Sequence, residues 1–362
     1  MPEFHHPDRN WGCRIQDNWI LKGLKTVVME NELLRITILA DKGADVYEFL
    51  HKPTDTDFMW RTPLGLHNPA TNTPSNTTDV GTFMDHYAGA WQEIFPSGGA
   101  ENNHAGVSYG QHGEACHLPW EFKVTENTPE RISCCFTLRT LRTPFLLERN
   151  LTLLKGEAKL YISETLRNLS PEAVDFMWGH HLAFGEPFLD ENCRVDTEAK
   201  RIEIHDTPYS ENQRFETGAH FNYPIALDKS GQEVDIRKVP PKSSKNMDLA
   251  YFTDLDEPWF ALTHSKKKLG FGLRFDKQVF DSIWYWQVFG GGQGAPWYSQ
   301  TYNIGLEPFT SWPGNGLSDA VKRGRHRRLE GDGTIKTELI AVIHEGLAEV
   351  EHISESGEVS GK

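Results

Sequence analysis

Apolar and polar residues alternate with a period of two through much of this chain, the pattern of half-buried β-strands. It is clearest between residues 120 and 178. Phe145 to Leu154 and Lys159 to Leu166 form two long runs around Lys155-Gly156-Glu157. Leu147, Leu151 and Leu153 share one face of the first. Leu160, Ile162 and Leu166 share one face of the second, with Glu164 interrupting it. Further strands are predicted at Thr26–Met29, Leu33–Leu39, Val46–Leu50, Glu121–Val124, Ile132–Thr140, Trp259–Thr263, Leu269–Phe275, Ser282–Val288, Thr301–Leu306 and Thr334–His344. Residues 186–256 are polar and turn-rich, with weaker strands expected. Residues 61–118, rich in Gly, Pro, Asn, Thr and His, are expected to be a long structured loop, and such loops tend to carry function. One helix is predicted, near Trp312 to Arg323. Many strands and few helices predict an all-β sandwich larger than the immunoglobulin type. Residues 25–350 are expected to form a single domain, 1–24 an N-terminal extension and 351–362 a flexible tail.

Composition narrows the partners. The 362 residues carry a formal net charge of −14, which argues against nucleic acid or an anionic membrane as the main partner. The one basic run, Lys322 to Arg328, is expected as a solvated loop. Five cysteines with no CxxC suit a reduced, cytoplasmic chain. No run reaches the length of a membrane span and no apolar signal segment opens the sequence. The expectation is a monomer or homodimer acting on a small molecule. The 11 Trp, 20 Phe and 10 Tyr residues serve equally as core filler or as platforms for a sugar ring.

Three polar islands carry the candidate chemistry: Tyr109 to His117, Trp178 to Gly185, and Gly305 to Ser311. Glu307 ends a strand-like run and is followed by Pro308, where ladder pairing is expected to stop or reach an edge. Between Leu306 and Phe309 its carboxyl should be partly desolvated and its pKa raised, as a general base near neutral pH requires. A surface glutamate at a strand end is the plain alternative. His180 and His181 end an apolar strand and must point to opposite faces, so one of them at most faces a given pocket. His112, Glu114 and His117 have the spacing H-x-E-x-x-H, which invites a zinc, iron or manganese site, but no clean second element accompanies it. Trp284 and Trp286 share one strand face, with Tyr285 and Gln287 on the other, and either face could meet a sugar or pack in the core. The loops Ser97-Gly98-Gly99 and Gly290 to Gly294 match neither a Walker A nor a dinucleotide fingerprint and are expected to shape a pocket mouth. No Gly-x-Ser-x-Gly elbow occurs.

Read in order, these islands resemble the galactose mutarotase-like (aldose 1-epimerase) superfamily, most closely the branch of bacterial relatives grouped as DUF4432. The resemblance rests on Gly43 to Tyr47, Phe95 to Gly99, Tyr109 to Pro119, Glu164 to Asn168, His181 to Phe188, Trp284 to Gln287, Gly305 to Ser311 and the closing strand Thr334 to His344, and it covers roughly residues 25 to 345. It implies a β-supersandwich and cofactor-free interconversion of sugar anomers. By that resemblance Glu307 is the base that takes the proton from the anomeric hydroxyl, His181 the acid that protonates the ring oxygen, with His180 the alternative acid, and His112 a substrate anchor. His180, Trp284, Trp286, Gln287, Glu114 and Asn103 are the further substrate-binding candidates, and no metal is implied. Two departures stand out. The Asn-Arg pair found ahead of the first histidine in many aldose 1-epimerases has no match; Trp91 to Phe95 and Asn102-Asn103-His104 stand in that stretch. His181-Leu182-Ala183-Phe184 replaces the usual His-Pro-Tyr-Phe. The alternatives are a carbohydrate-binding protein without turnover, and a metal-dependent sugar isomerase built on His112, Glu114, His117 and His180 or His181.

Overall fold

A computed structural model describes residues 11–73 and 79–362. The first ten residues of the expected extension and residues 74–78 of the expected loop lie outside that range. The main strands are β1 (Arg14–Leu21), β2 (Leu24–Glu30), β3 (Leu34–Leu39), β4 (Asp45–His51), β5 (Trp91–Ile94), β6 (Glu121–Asn127), β7 (Arg131–Arg139), β8 (Phe145–Leu154), β9 (Lys159–Asn168), β10 (Gly179–Gly185), β11 (Cys193–Ile204), β12 (Asn246–His264), β13 (Leu269–Arg274), β14 (Ser282–Phe289), β15 (Tyr302–Phe309) and β16 (Thr334–Glu345). The helices α1 (Asp79–His86) and α2 (Leu317–Lys322) are short. No helix among the described residues is long and apolar enough to cross a membrane.

The pairing is antiparallel and forms two sheets that share strands. One runs β1-β2-β3-β4-β5-β10-β15-β14 and on to the first half of β12. The other runs β6-β7-β8-β9-β16-β13 to the second half of β12. β12 is 19 residues long; Asn246–Phe252 pairs with β14 and Trp259–His264 with β13. β11 follows it across the corner, with a register shift between Thr197 and Ala199. Asp254, at φ 52°, marks where the strand turns from one sheet to the other.

The main core lies between the sheets. Leu147, Leu151, Leu153, Leu160, Ile162 and Leu166 are all buried there, as the alternation predicted. A second apolar cluster occupies the opposite face of the first sheet. It includes Trp60, Phe83, Tyr87, Tyr251, Trp284, Trp286, Trp297 and Phe309.

Several expectations need correction. The stretch expected as a loop contains α1, β5 and the hairpin Asn102–His104/Val107–Tyr109. The polar middle holds β11 and the first half of β12, two of the longest strands, because a shared corner strand is buried by neighbours from both sheets and need not alternate. Residues 14–21 of the expected extension pair with β2. Residues 350–361 form a hairpin whose Ile353 is fully buried in a cluster with Trp259, Ala261, Val342 and Val350. Ile353→Ala is therefore expected to destabilise the fold by about 2–5 kcal/mol. Chemical denaturation checks this, and wild-type stability of the variant would show that the hairpin is dispensable.

Candidate active site

The register of the first sheet places the candidate residues in rows. Tyr251 pairs with Trp284, and Trp284 with Glu307. Across the next ladder Gly179 pairs with Phe309 and Ala183 with Gly305, so His181 stands opposite Glu307. On the other side His181 pairs with Gln92. The Nε2 of His181 lies 3.8 Å from the Oε1 of Glu307. Gly305 makes room for that carboxyl: a methyl group there would overlap Oε1 of Glu307. The predicted alternation thus decides which histidine faces the site.

His112 arrives from the loop after the Asn102–Tyr109 hairpin. It holds a left-handed backbone, φ 63°, a conformation that non-glycine residues seldom adopt. A reciprocal clasp holds it: the His112 N–H donates to Gly99 O at 2.9 Å, and the Gly99 N–H donates to His112 Nδ1 at 3.2 Å. With Nδ1 accepting, the neutral ring carries its proton on Nε2. The ring stands edge-on to His181 at 5.4 Å between centroids.

All three residues are nearly covered; Glu307 is 2 %, His181 5 % and His112 7 % exposed. The cover is aromatic. Tyr87 lies 5.4 Å and Trp286 5.6 Å from the His181 ring. Trp60 and Trp297 pack on both, and Phe83 packs on His112. Desolvation follows. Burial raises Glu307 well above the usual carboxylate range. It pushes His181 down to about 4, and His112 well below its ordinary value, with the neighbouring His181 adding to the effect. Glu307 Oε2, His181 Nδ1 and Tyr87 Oη are buried without a protein hydrogen-bond partner among the described residues. Unpaired polar atoms of this kind are costly unless something binds them.

Other candidates lie elsewhere. His180 faces the intersheet core and is fully buried. Trp91 Nε1 donates to its Nδ1 at 3.2 Å, and its Nε2 is 3.2 Å from Glu164. Burial alone would lower its pKa, but Glu93 and Glu164 outweigh that and the net shift is upward. Burial and then the charge of Glu164 push Glu93 up to about 7. Arg149 completes the cluster, 3.2 Å from Glu93, with a further hydrogen bond to Ala44 O. Glu93, Glu164 and His180 bring ligand-type atoms within 4.8 Å of one another; Arg149 already supplies the positive charge there. Glu114 is not at the site either. Its carboxylate accepts from Leu141 N at 2.8 Å, Arg142 N at 3.2 Å and Thr143 Oγ1 at 3.2 Å, so it ties two loops together and the H-x-E-x-x-H spacing does not converge. Gln287 projects to the opposite sheet face, where it accepts from Arg214 at 2.5 Å beside Asp248. Asn103 is exposed on its hairpin. Trp284 is on the right face but is packed against Phe309 at 3.8 Å, its indole N–H donating to Ser311 O, so it supports the row from beneath. Trp286 does lie against His181.

Tyr87, Trp60, Trp297 and Gln92 were not foreseen as site residues. The Gly290–Gly294 loop, expected to shape a pocket mouth, is the signal that could have led to Trp297: Gly291 to Trp297 line a cavity of about 420 Å³ together with Tyr209, Ser210, Glu211, Asn212 and Met247.

Comparison with known proteins fits this architecture. A family model described as a domain of unknown function, DUF4432, matches residues 21–341. No curated protein matches the sequence. Among solved structures, a candidate aldose 1-epimerase from Klebsiella pneumoniae is similar with a TM-score of 0.71 at 18 % identity, over 92 % of this chain and 83 % of that one. A galactose mutarotase-like protein from Clostridium acetobutylicum is similar with a TM-score of 0.62 at 16 % identity, over 92 % and 99 % of the chains. A galactose mutarotase-like protein from Lactobacillus casei gives 0.52 at 16 %, over 88 % and 100 %. The chain belongs to the DUF4432 family and has the β-supersandwich fold of the galactose mutarotase-like proteins.

Proposed function

We propose that this protein interconverts the anomers of a reducing sugar by cofactor-free acid–base catalysis at Glu307 and His181. The observation that carries the reading is the cross-strand placement of these two side chains, 3.8 Å apart and almost fully buried. The hydroxyl O1 and the ring oxygen O5 are bonded to the same anomeric carbon, so a base for one and an acid for the other must be neighbours. Glu307 takes the O1 proton, the C1–O5 bond breaks, and His181 gives a proton to O5. The aldehyde rotates about C1–C2 and closes on its other face with the transfers reversed. His112 holds the reacting end, its Nε2–H free to donate. Positioned proton transfer of this kind contributes typically about 10²–10⁴-fold, and the buried setting adds orientation.

The two groups need one proton between them throughout the cycle. In the empty site the pKa directions put that proton on Glu307 and leave His181 neutral, the distribution that ring opening produces. A second proton on the pair below pH about 4, or loss of the last one above the raised Glu307 pKa, stops the cycle. The expected kcat/KM profile is a plateau with its acid limb near 4 and its alkaline limb above the ordinary carboxylate range. An acid limb in the ordinary histidine range would contradict the assignment of His181. The reaction is tested by exchange NMR on a panel of neutral, acidic, phosphorylated and sulfonated sugars. A sugar that binds and shows no enhanced anomer exchange would make this a binding protein instead.

A further inference from the structure

Four rings over Glu307 and His181 pack on one another: Trp60, Tyr87, Trp286 and Trp297, with centroids 5.7–6.4 Å apart. With Glu307 2 % and His181 5 % exposed, a ligand reaches the pair only if a ring moves. Three of the rings are held. Trp286 lies inside the β14 ladder. Trp60 donates its N–H to Ala183 O at 2.7 Å and accepts from Ala90 N at 2.7 Å, and its side chain fills the space that a Cβ on Gly185 would take. Tyr87 directly follows α1 and stacks on Phe83 at 5.1 Å. Trp297 stands instead on the segment 292–300. The backbone of that segment bonds within itself, Tyr298 N to Gly294 O at 2.7 Å, Ser299 N to Gly292 O at 2.6 Å and Gln300 N to Trp297 O at 2.9 Å. Its ends are tied, by Gly290 N to Thr301 O at 2.9 Å and by Asn212 Nδ2 to Gly291 O at 2.9 Å. Of the four rings only Trp297 also lines the cavity of about 420 Å³, which is ample for an indole. Tyr298 and Ser299, the next two residues, hold left-handed backbones, φ 45° and 58°. Consecutive non-glycine residues seldom do so, and such strain gathers at switch segments. Gly292 is held free of a side chain by the same ring: a Cβ there would lie 2.7 Å from Cδ1 and 2.8 Å from Cβ of Trp297.

We infer that Trp297 is a gate: the segment 292–300 swings its indole between the seat against Tyr87 and Trp286 and the adjoining cavity, and the outward position opens the way to Glu307 and His181. The cavity is then a vestibule that a ligand crosses, not a place where it stays. Two of its polar side chains are already engaged, Ser210 Oγ with Met247 O at 2.7 Å and Asn212 Nδ2 with Gly291 O, so little in the lining is left to hold a ligand. Opening gives up the contacts of one indole and lets Tyr298 and Ser299 leave their strained backbones. Loop movements of this kind run on the microsecond to millisecond scale. In anomer exchange the closed gate would keep water from the proton transfers. That use of the gate rests on the proposed reaction; the gate itself concerns only access to the pair.

Carbethoxylation of His181 by diethyl pyrocarbonate, followed by peptide mass spectrometry, reads access to the pair without any sugar. Burial pushes His181 down to about 4, so at neutral pH it is in the neutral form that reacts. Exposed His220 and His344, buried in β16, serve as references. Gly292→Ala denies the indole its seat. From an open form populated at about 0.1–10 %, it is expected to raise the His181 rate by about tenfold or more. Gln293 is exposed and borders the cavity; Gln293→Trp fills the space the indole would enter and is expected to lower the His181 rate. A rise confined to His181 in the first variant and a fall in the second support the gate. Should Gly292→Ala loosen the whole fold, His344 reacts faster as well and Gln293→Trp alone decides. A His181 rate that Gln293→Trp leaves at the wild-type value overturns the gate. Sugar exchange by a wild type whose His181 rate neither variant alters leaves the reaction standing without the gate. Altered His181 rates with no exchange by any sugar leave the gate standing without the reaction.

Discussion

Glu307→Gln is expected to lower the rate of anomer exchange by about 10²–10⁴-fold while leaving the fold intact. Burial already favours the uncharged form of this carboxyl, so a carboxamide of the same shape replaces a neutral group by a neutral group. The space beside Gly305 accepts it unchanged. What is lost is the ability to carry the O1 proton, since an amide nitrogen cannot release and regain it. The loss should fall on kcat, with sugar binding kept, because proton transfer occurs only in the reacting state. Exchange NMR at saturating sugar and a denaturation curve together check this. A variant that exchanges a bound sugar at the wild-type rate would exclude Glu307 as the base.

Arg149→Met is expected to have the largest effect on stability, a loss of about 3–5 kcal/mol. Arg149 is 1 % exposed and lies on the same face of β8 as Leu147 and Leu151. It faces Glu93 at 3.2 Å and stacks over Trp120 at 5.2 Å. Without it, Glu93, Glu164 and His180 remain in a low-dielectric interior with one positive group for two carboxyls. The single change therefore strands charge, which costs far more than never having placed it there. Adding Glu93→Gln to Arg149→Met removes one of the stranded carboxyls and is expected to restore part of the loss. Urea unfolding of the single and double variants measures this. A loss below about 1 kcal/mol in the single variant would match an exposed ion pair and contradict the buried network.

The sequence carried the local part of this architecture. Alternation in β8 and β9 identified the inward leucines, and the adjacency of His180 and His181 already required opposite faces. It also exposed Glu164 as an anomaly on an inward face. The reason for the anomaly was not legible, because its partners Arg149, Glu93 and His180 come from three other strands. The same limit explains Gln287 and Glu114. Their residue types suit a ligand, but Arg214 and the 141–143 loop take them first. β5 was hidden because its four residues sit between glycine-rich segments, too short for a periodic signal. Tyr87, Trp60 and Trp297 reach the site from non-periodic segments, where position depends on how loops fold over a sheet.

β12 bears on how far the protein can be reduced. Glu307 and His181, the proposed acid–base pair, lie on one sheet, which invites a smaller protein made from that sheet alone. Yet β12 runs on from that sheet into the other, and β11 pairs beside it around the corner. Removing the second sheet would leave the far halves of β11 and β12 as raw edges with apolar faces bared, a template for aggregation. The scaffold is therefore indivisible, and the sheet that lacks Glu307 and His181 is needed to cover the apolar face and strand edges of the other.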